Sequence, residues 1–314
     1  MSDFTLGVDL GGTNVRVAAV DDDGGVRAQQ RAPSPEDFEA IVGVIAGLVA
    51  SISIECPDPP ALGVGTAGMI DFDGVVHYAP NLPALIEKPM RAEVQAATGL
   101  PTVVDNDANA AAWGEVLHGA AKGCRQALVV TLGTGIGGAI VDAGRVVRGA
   151  HGFAAEIGHF QVKEGEPMCA CGQPGHWEAI ASGNGLGRMG RERAAAGRAP
   201  SVVAAAGDDA AAVTGVHVGN AAQAGEPDAL AVLDEWARWV AIGLAGLANV
   251  LDPERIVISG GLVELGDVLF VPLRRHFEGR IEGPRHRPAI EIVPAALGEQ
   301  AGVIGAAALA RDLR

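Results

Sequence analysis

Hydrophobic residues in this chain fall into short dense runs separated by Gly-rich or acidic turns, and their spacing predicts the elements. Phe4–Leu10 and Val15–Val20 read as two β-runs flanking Gly11-Gly12, with a tight turn at Asp21–Gly25 after the second. Ser34-Pro-Glu-Asp37 has the form of a capping box with Pro at the first helical position, opening an amphipathic helix to about Ile54. Ala61–Thr66 reads as a buried strand that ends in Gly65-Thr-Ala-Gly68. A helix near Met90–Thr98, a strand Thr102–Asp105 and an Ala-rich helix through His118 follow.

Ala127–Val141 then repeats the opening pattern of apolar run, Gly/Thr turn and apolar run, with Gly133-Thr134-Gly135 at the turn. The echo of residues 6–18 in residues 128–141 predicts two related halves, each with its own turn. Further on, Trp177–Arg193 reads as a helix broken at Gly183-Asn-Gly185, residues 195–213 as loop or irregular helix, and Asp228–Val250 as a long core helix. Arg255–Ser259 is a strand ending at Gly260-Gly261, and Gly298–Ala307 opens a closing helix. Strands alternating with helices mean an α/β fold with a mostly parallel sheet, where ligands gather at the C-terminal ends of strands.

Composition narrows this picture. A chain of 314 residues has room for two domains of ordinary size, and 48% hydrophobic with 19% charged residues is the balance of a folded globular protein. Aromatic residues make up only 4%, so Val, Leu, Ile and Ala must build the core. The net charge of −15 argues against a nucleic-acid partner bound through a broad basic face and against an anionic membrane surface. No basic segment precedes the apolar residues of Met1–Leu10, and the longest apolar run, Trp239–Leu251, is too short to span a bilayer. With Cys56 and Cys124 isolated, a reducing cytoplasmic location is expected.

Three sites carry candidate chemistry. The turn at Gly11-Gly12 exposes backbone N–H groups that can cradle phosphate oxygens, and Asp9 at its edge can hold a hydrated Mg²⁺; a plain hairpin turn is the alternative. It is neither a Walker loop nor a dinucleotide fingerprint. Asn106 and Asp107 stand at a strand end, as ligand-binding residues or as helix N-caps. Residues 156–178 place His159, Cys169, Cys171 and His176 within eighteen residues, a density that suits one tetrahedral, structural Zn²⁺. A pinned metal loop would fix Glu156 and Glu178 at its ends, and fixed carboxylates can bind hydroxyl groups.

In this order the motifs resemble the ROK family of sugar kinases and sugar-responsive repressors, on the two-lobed actin-like ATPase (ribonuclease H-like) fold. Asp9-Leu-Gly11-Gly12-Thr13-Asn14-Val-Arg16 is similar to the family's first phosphate motif, Leu132–Gly138 with Gly133, Thr134 and Gly135 to its second, and Ser259-Gly260-Gly261 to its adenosine motif. Asn106-Asp107 resembles the catalytic dyad, and Glu156, His159 and Glu178 the sugar-binding residues. His176 stands where the usual zinc motif has a third cysteine, so Cys₂His₂ ligation is expected.

The resemblance implies lobes of roughly 1–108 and 109–297, the last helix, 299–312, returning to the first lobe. A hexose would be bounded by Gly68, Asn81, Asn106 and Asp107 on one side and Glu156, His159 and Glu178 on the other. It implies ATP-dependent phosphorylation of a hexose 6-hydroxyl, glucose foremost, by a homodimer or homotetramer. Asp107 would be the base, with Asp105 the rival and the better candidate for a structural carboxylate. The alternatives are an N-acetylhexosamine kinase or a non-catalytic sugar-binding regulator, and polyphosphate as donor. The repressors of the family carry a helix-turn-helix domain ahead of the first phosphate motif, and only eight residues precede Asp9 here.

Overall fold

The computed structural model describes residues 3–313. The chain opens with β1 (Phe4–Leu10), β2 (Asn14–Asp21), β3 (Val26–Pro33), α1 (Phe38–Glu55), β4 (Leu62–Thr66), β5 (Met69–Ile70), β6 (Val76–Tyr78), α2 (Met90–Thr98), β7 (Thr102–Asn106) and α3 (Asp107–His118). Next come β8 (Ala127–Leu132), β9 (Ile136–Asp142), β10 (Arg145–Val146), α4 (Trp177–Ala181), α5 (Gly183–Ala195), α6 (Pro200–Ala205), α7 (Gly215–Gln223) and α8 (Pro227–Leu251). It closes with β11 (Arg255–Ser259), α9 (Asp267–Glu278), β12 (Glu291–Pro294) and α10 (Ala301–Ala310). Two compact units result: one holds the described residues to Arg125, Ala139–Ala155 and those from Ala295 on, the other Gln126–Gly138 and Glu156–Pro294.

The first unit is built on a sheet of order β3-β2-β1-β4-β7. β1 pairs antiparallel with β2 but parallel with β4, and β4 parallel with β7, so three strands end on the same side. The register aligns Asp9 with Gly65 and Gly65 with Asp105, and places Asn106 beside Thr66. One face is covered by α1, whose Phe38, Ile41, Ile45, Val49 and Ile52 recur every three or four residues and are buried among Leu6, Val8, Val15 and Val17. By length and composition α1 could cross a membrane; in this fold its apolar stripe lies in the core.

The other face carries α10, which contacts β1, β2, β4 and α3. Val303, Ile304 and Ala307 pack with Ala18 and Val20, and the buried Thr5 hydroxyl donates to the Ala307 carbonyl at 2.7 Å. The approach is so close that a methyl group at Gly7 would overlap the Val303 carbonyl, and one at Gly63 that of Ala306. Gly305 packs on α3 in the same way, its hydrogen facing the Ala110 carbonyl. The chain leading into α10 is fastened by Glu115, fully buried on α3, which accepts from the Ala120 N–H at 2.6 Å, the Leu297 N–H at 2.8 Å and the Ala296 N–H at 3.1 Å.

In the second five-stranded sheet the order is β10-β9-β8-β11-β12, with β8, β11 and β12 parallel. Trp177 of α4 and Trp236 of α8 are fully buried; Trp236 Nε1 donates to the Ser182 carbonyl at 3.0 Å and Trp177 Nε1 to the Trp239 carbonyl at 3.1 Å.

Local rules misplace some boundaries. Helix α1 does not start at Pro35: its N-cap is Asp37, whose carboxylate accepts from the Ala40 N–H at 3.0 Å, and Ser34, its N–H bonded to the Thr13 carbonyl at 2.9 Å, lies ahead of the helix. The break after α4 falls at Ser182, whose hydroxyl caps α5, and Gly183 and Gly185 form the first turn of α5. A 3₁₀ turn occupies Gly298–Gln300 ahead of α10. Strands β3, β5, β6, β10 and β12 and helices α7 and α9 are not marked by the apolar pattern.

Candidate active site

In the first unit the ends of β1, β4 and β7 assemble one group of residues. The Gly11 N–H bonds the Asn14 carbonyl at 3.0 Å, closing the tight turn between β1 and β2. A methyl on Gly12 would lie 3.6 Å from the Asn81 carbonyl oxygen, so the exposed Asn81 passes beside that turn. Asn106 caps α3, its Oδ1 accepting from the Ala108 N–H at 2.8 Å and the Asn109 N–H at 3.2 Å, while its Nδ2 donates to the Gly68 carbonyl at 3.1 Å. Gly68 has φ +130, and a methyl there would stand 2.6 Å from the Tyr78 carbonyl oxygen. That position therefore belongs to glycine.

Electrostatics separates the three carboxylates. Asp105 is 7% exposed and fully engaged, accepting from Arg148 Nε at 2.7 Å, Asn109 Nδ2 at 2.9 Å and the Asn106 N–H at 2.8 Å. Asp107 has no cationic partner among the described residues, and burial raises its pKa. The Asp9 carboxyl is pushed up to about 6, first by burial and then by the charge of Asp107, against the pull of Arg16. Arg16 itself donates to the carbonyl and carboxylate of Glu299. Two carboxyls that repel one another, with Arg16 engaged by Glu299, suit a divalent cation at Asp9.

The second unit holds another group. Parallel pairing sets Ser259 of β11 beside Thr131 of β8, their hydroxyls 3.0 Å apart, so the turns at Gly133–Gly135 and Gly260–Gly261 emerge side by side. Gly260 has φ +90, and a methyl there would overlap the Leu132 carbonyl. Glu178 on α4 accepts from the Ile136 N–H at 2.9 Å, directly after the first of these turns. Its other oxygen is 3.8 Å from Cys169 Sγ, so this side chain joins the Gly/Thr turn to the metal loop.

The metal loop brings its four residues together as the spacing predicted. The ligand atoms of His159, Cys169, Cys171 and His176 lie within 4.8 Å of one another. Cys169 Sγ is 3.7 Å from His159 Nδ1, and Cys171 Sγ is 3.2 Å from His176 Nδ1. A tetrahedral zinc would set such pairs roughly 3.3–3.8 Å apart, so the donor set fits that ion. Burial, then Cys171, pushes the Cys169 thiol up to about 11, and burial with neighbouring His159 lowers the His176 pKa. A cation supplies the charge that would turn the thiol into a thiolate ligand. With Nδ1 of His159 toward the cluster, its Nε2 is free to face the other way, 3.8 Å from the exposed Glu156 carboxylate.

Two participants escaped the sequence reading: Arg148, which no local pattern marks, and the Ile136 N–H that holds Glu178. Both bonds join residues more than forty apart in the chain.

The model of the ROK family matches residues 5–313. The glucokinase of Streptomyces coelicolor is 40% identical over 312 residues, 98% of each chain. That of Halalkalibacterium halodurans is 37% identical over 97% of this chain and 94% of its own. The crystal structure of a ROK family glucokinase from Streptomyces griseus in complex with glucose and AMPPNP is similar with a TM-score of 0.86 at 38% identity, covering 98% of this chain and 99% of that one. Matched along nearly its whole length in sequence and in fold, the chain belongs to the ROK family.

Proposed function

We propose that the chain transfers the γ-phosphoryl group of ATP to the 6-hydroxyl of glucose. Asp107 carries this reading: a half-buried carboxyl of raised pKa, without a cationic partner among the described residues, beside an anchored Asn106 at the strand ends. A sugar hydroxyl is a poor nucleophile, and Asp107 takes its proton as the oxygen bonds to phosphorus and the bond to the bridging oxygen of ADP breaks. A carboxylate of raised pKa is the stronger base for that task.

Around this step the other residues bind and orient. Asn106, Gly68 and Asn81, with Glu156, His159 and Glu178, take the sugar hydroxyls. Backbone at Gly11, Gly12, Thr13 and Asn14 and at Gly133, Thr134 and Gly135 takes phosphate oxygens, with Arg16 adding positive charge, and Gly260-Gly261 lies against the adenosine. Mg²⁺ at Asp9, bound through water, would neutralise phosphate charge. Zn²⁺ on His159, Cys169, Cys171 and His176 would be structural, fixing His159 and Glu178. We also place the protein in the cytoplasm as a homo-oligomer, which light scattering on purified protein checks.

Initial rates with ATP and glucose, mannose, fructose, N-acetylglucosamine or N-acetylmannosamine test the substrate, with polyphosphate replacing ATP in a second series. An N-acetylated sugar with the highest kcat/KM overturns glucose. Asp107→Asn should lower kcat by about 10²–10⁴-fold, the worth of a positioned base, and change calorimetric glucose affinity far less. An Asp107→Asn enzyme at near-normal turnover overturns the base.

A further inference from the structure

Arg148 reaches the strand end of Asp105–Asp107 from elsewhere in the first unit, the segment Ala139–Ala155. Its Nε donates to Asp105 Oδ2 at 2.7 Å, and Asp105 Oδ1 accepts from Asn109 Nδ2 at 2.9 Å and the Asn106 N–H at 2.8 Å. Asn106 and Asn109 flank Asp107, and Asn106 also caps α3 and grips the Gly68 carbonyl. One guanidinium therefore anchors, through one nearly buried carboxylate, both sides of the catalytic aspartate. The arginine is itself fixed, since its carbonyl accepts from the Ala154 N–H at 3.1 Å. Gly152 follows with φ +92, where a methyl would overlap the Ile70 carbonyl. Charge-assisted bonds to a carboxylate this buried are rigid, and a partly satisfied network is not.

We propose that Arg148 is a positioning residue for phosphoryl transfer, acting through Asp105 and Asn109 to hold the Asp107 carboxylate on the line of the sugar hydroxyl. This rests on Asp107 being the base. Among the described residues Asp105 has no other cationic partner. Without the guanidinium its carboxylate must turn toward water and release its bonds to Asn106 and Asn109. Misplacement of a catalytic group by about an ångström costs on the order of 100-fold in rate. The loss falls on turnover, because alignment matters most in the transition state, while ground-state sugar contacts persist.

The test compares Arg148→Met, Arg148→Lys and the double variant Arg148→Met/Asp105→Asn, which leaves no unpaired buried charge. Steady-state kcat and KM, calorimetric glucose affinity without nucleotide, and thermal melting are measured on each, with Asp107→Asn alongside. Arg148→Met should lose roughly 30–100-fold in kcat with glucose affinity within about threefold, and lysine should recover at least about tenfold of that loss. Where Arg148→Met does not fold, the double variant carries the test, folding but turning over slowly. A kcat within threefold of the parent in Arg148→Met, full turnover in the double variant, or no recovery by lysine overturns the proposal. So does a loss confined to melting temperature. An active Asp107→Asn shows instead that the base is misassigned, whereas a dead Asp107→Asn beside an unimpaired Arg148→Met removes only the role of Arg148.

Discussion

Replacing Gly135 with alanine separates the sugar-binding role proposed for Glu178 from the phosphate-binding role proposed for the turn. The backbone of Gly135 is not left-handed, so alanine is allowed there by conformation. Space is what fails: the new methyl would overlap Glu178 Oε2 and stand 3.1 Å from its Cδ. To regain ordinary contact the carboxylate must retreat by roughly an ångström. That breaks its bond from the Ile136 N–H, now 2.9 Å. The displaced carboxylate would also lose its bond to a sugar hydroxyl, and a hydrogen bond to a charged group is worth about 1.5–3 kcal/mol, so glucose affinity should weaken by about 10- to 100-fold. Gly133→Ala is the control, since no atom lies within 4 Å of a methyl placed there. It should leave glucose affinity unchanged and raise only the KM for ATP, by crowding the phosphates. Calorimetric glucose titrations without nucleotide, followed by initial-rate kinetics, read both effects. A Gly135→Ala protein that binds glucose as tightly as the parent and keeps kcat within twofold refutes the reasoning.

Other expectations follow from the same geometry. Because the Asp9 carboxyl is raised from 3.8 to about 6, the folded state holds that proton more tightly than the unfolded chain does. Stability at this site is thus fully present below about pH 4 and lost as pH rises through 6. Asp9→Asn should melt higher than the parent at about pH 8 in Mg²⁺-free buffer and equally at about pH 4, while losing activity; the same difference at both pH values would contradict this. Gly305→Ala drives a methyl into the Ala110 carbonyl and to 2.9 Å from Gly114 N, all backbone. It should cost about 3 kcal/mol and several degrees of melting temperature. Gly43→Ala, with open space inside α1, should instead stabilise by up to about 1 kcal/mol; a Gly305→Ala protein as stable as the parent counts against the close packing of α10. Protein purified without added metal should contain about one zinc per chain, and Cys171→Ser should lose it together with glucose affinity. Elemental analysis showing almost no zinc in fully active parent would end that reading.

What the sequence disclosed was what neighbouring residues determine. Gly11-Gly12, Gly133–Gly135 and Gly260-Gly261 interrupt apolar runs, and that contrast alone marks strand ends. His159, Cys169, Cys171 and His176 are dense enough to suggest a metal loop before any fold is known. The bonds that hold these groups in register were hidden because their partners are distant. Glu178 meets Ile136 across 42 residues, Arg148 meets Asp105 across 43, and Glu115 meets Ala296 across 181. The start of α1 is a local case: Asp37 caps it by accepting from the Ala40 N–H, while Ser34, of the right character for a cap, has its N–H bonded to Thr13, from the turn that precedes β2.

The seat of α10 also sets an order of events during synthesis. Strands β1, β4 and β7 leave the ribosome early, yet the helix that covers Gly7, Gly63 and Ala18 is translated roughly two hundred residues later. At 5–20 residues per second the interval is about 10–40 s. All segments of the second unit are complete by Pro294, before α10 exists. The first unit to begin is therefore the last to close, and the face of its sheet that α10 covers stays open for more than half of translation.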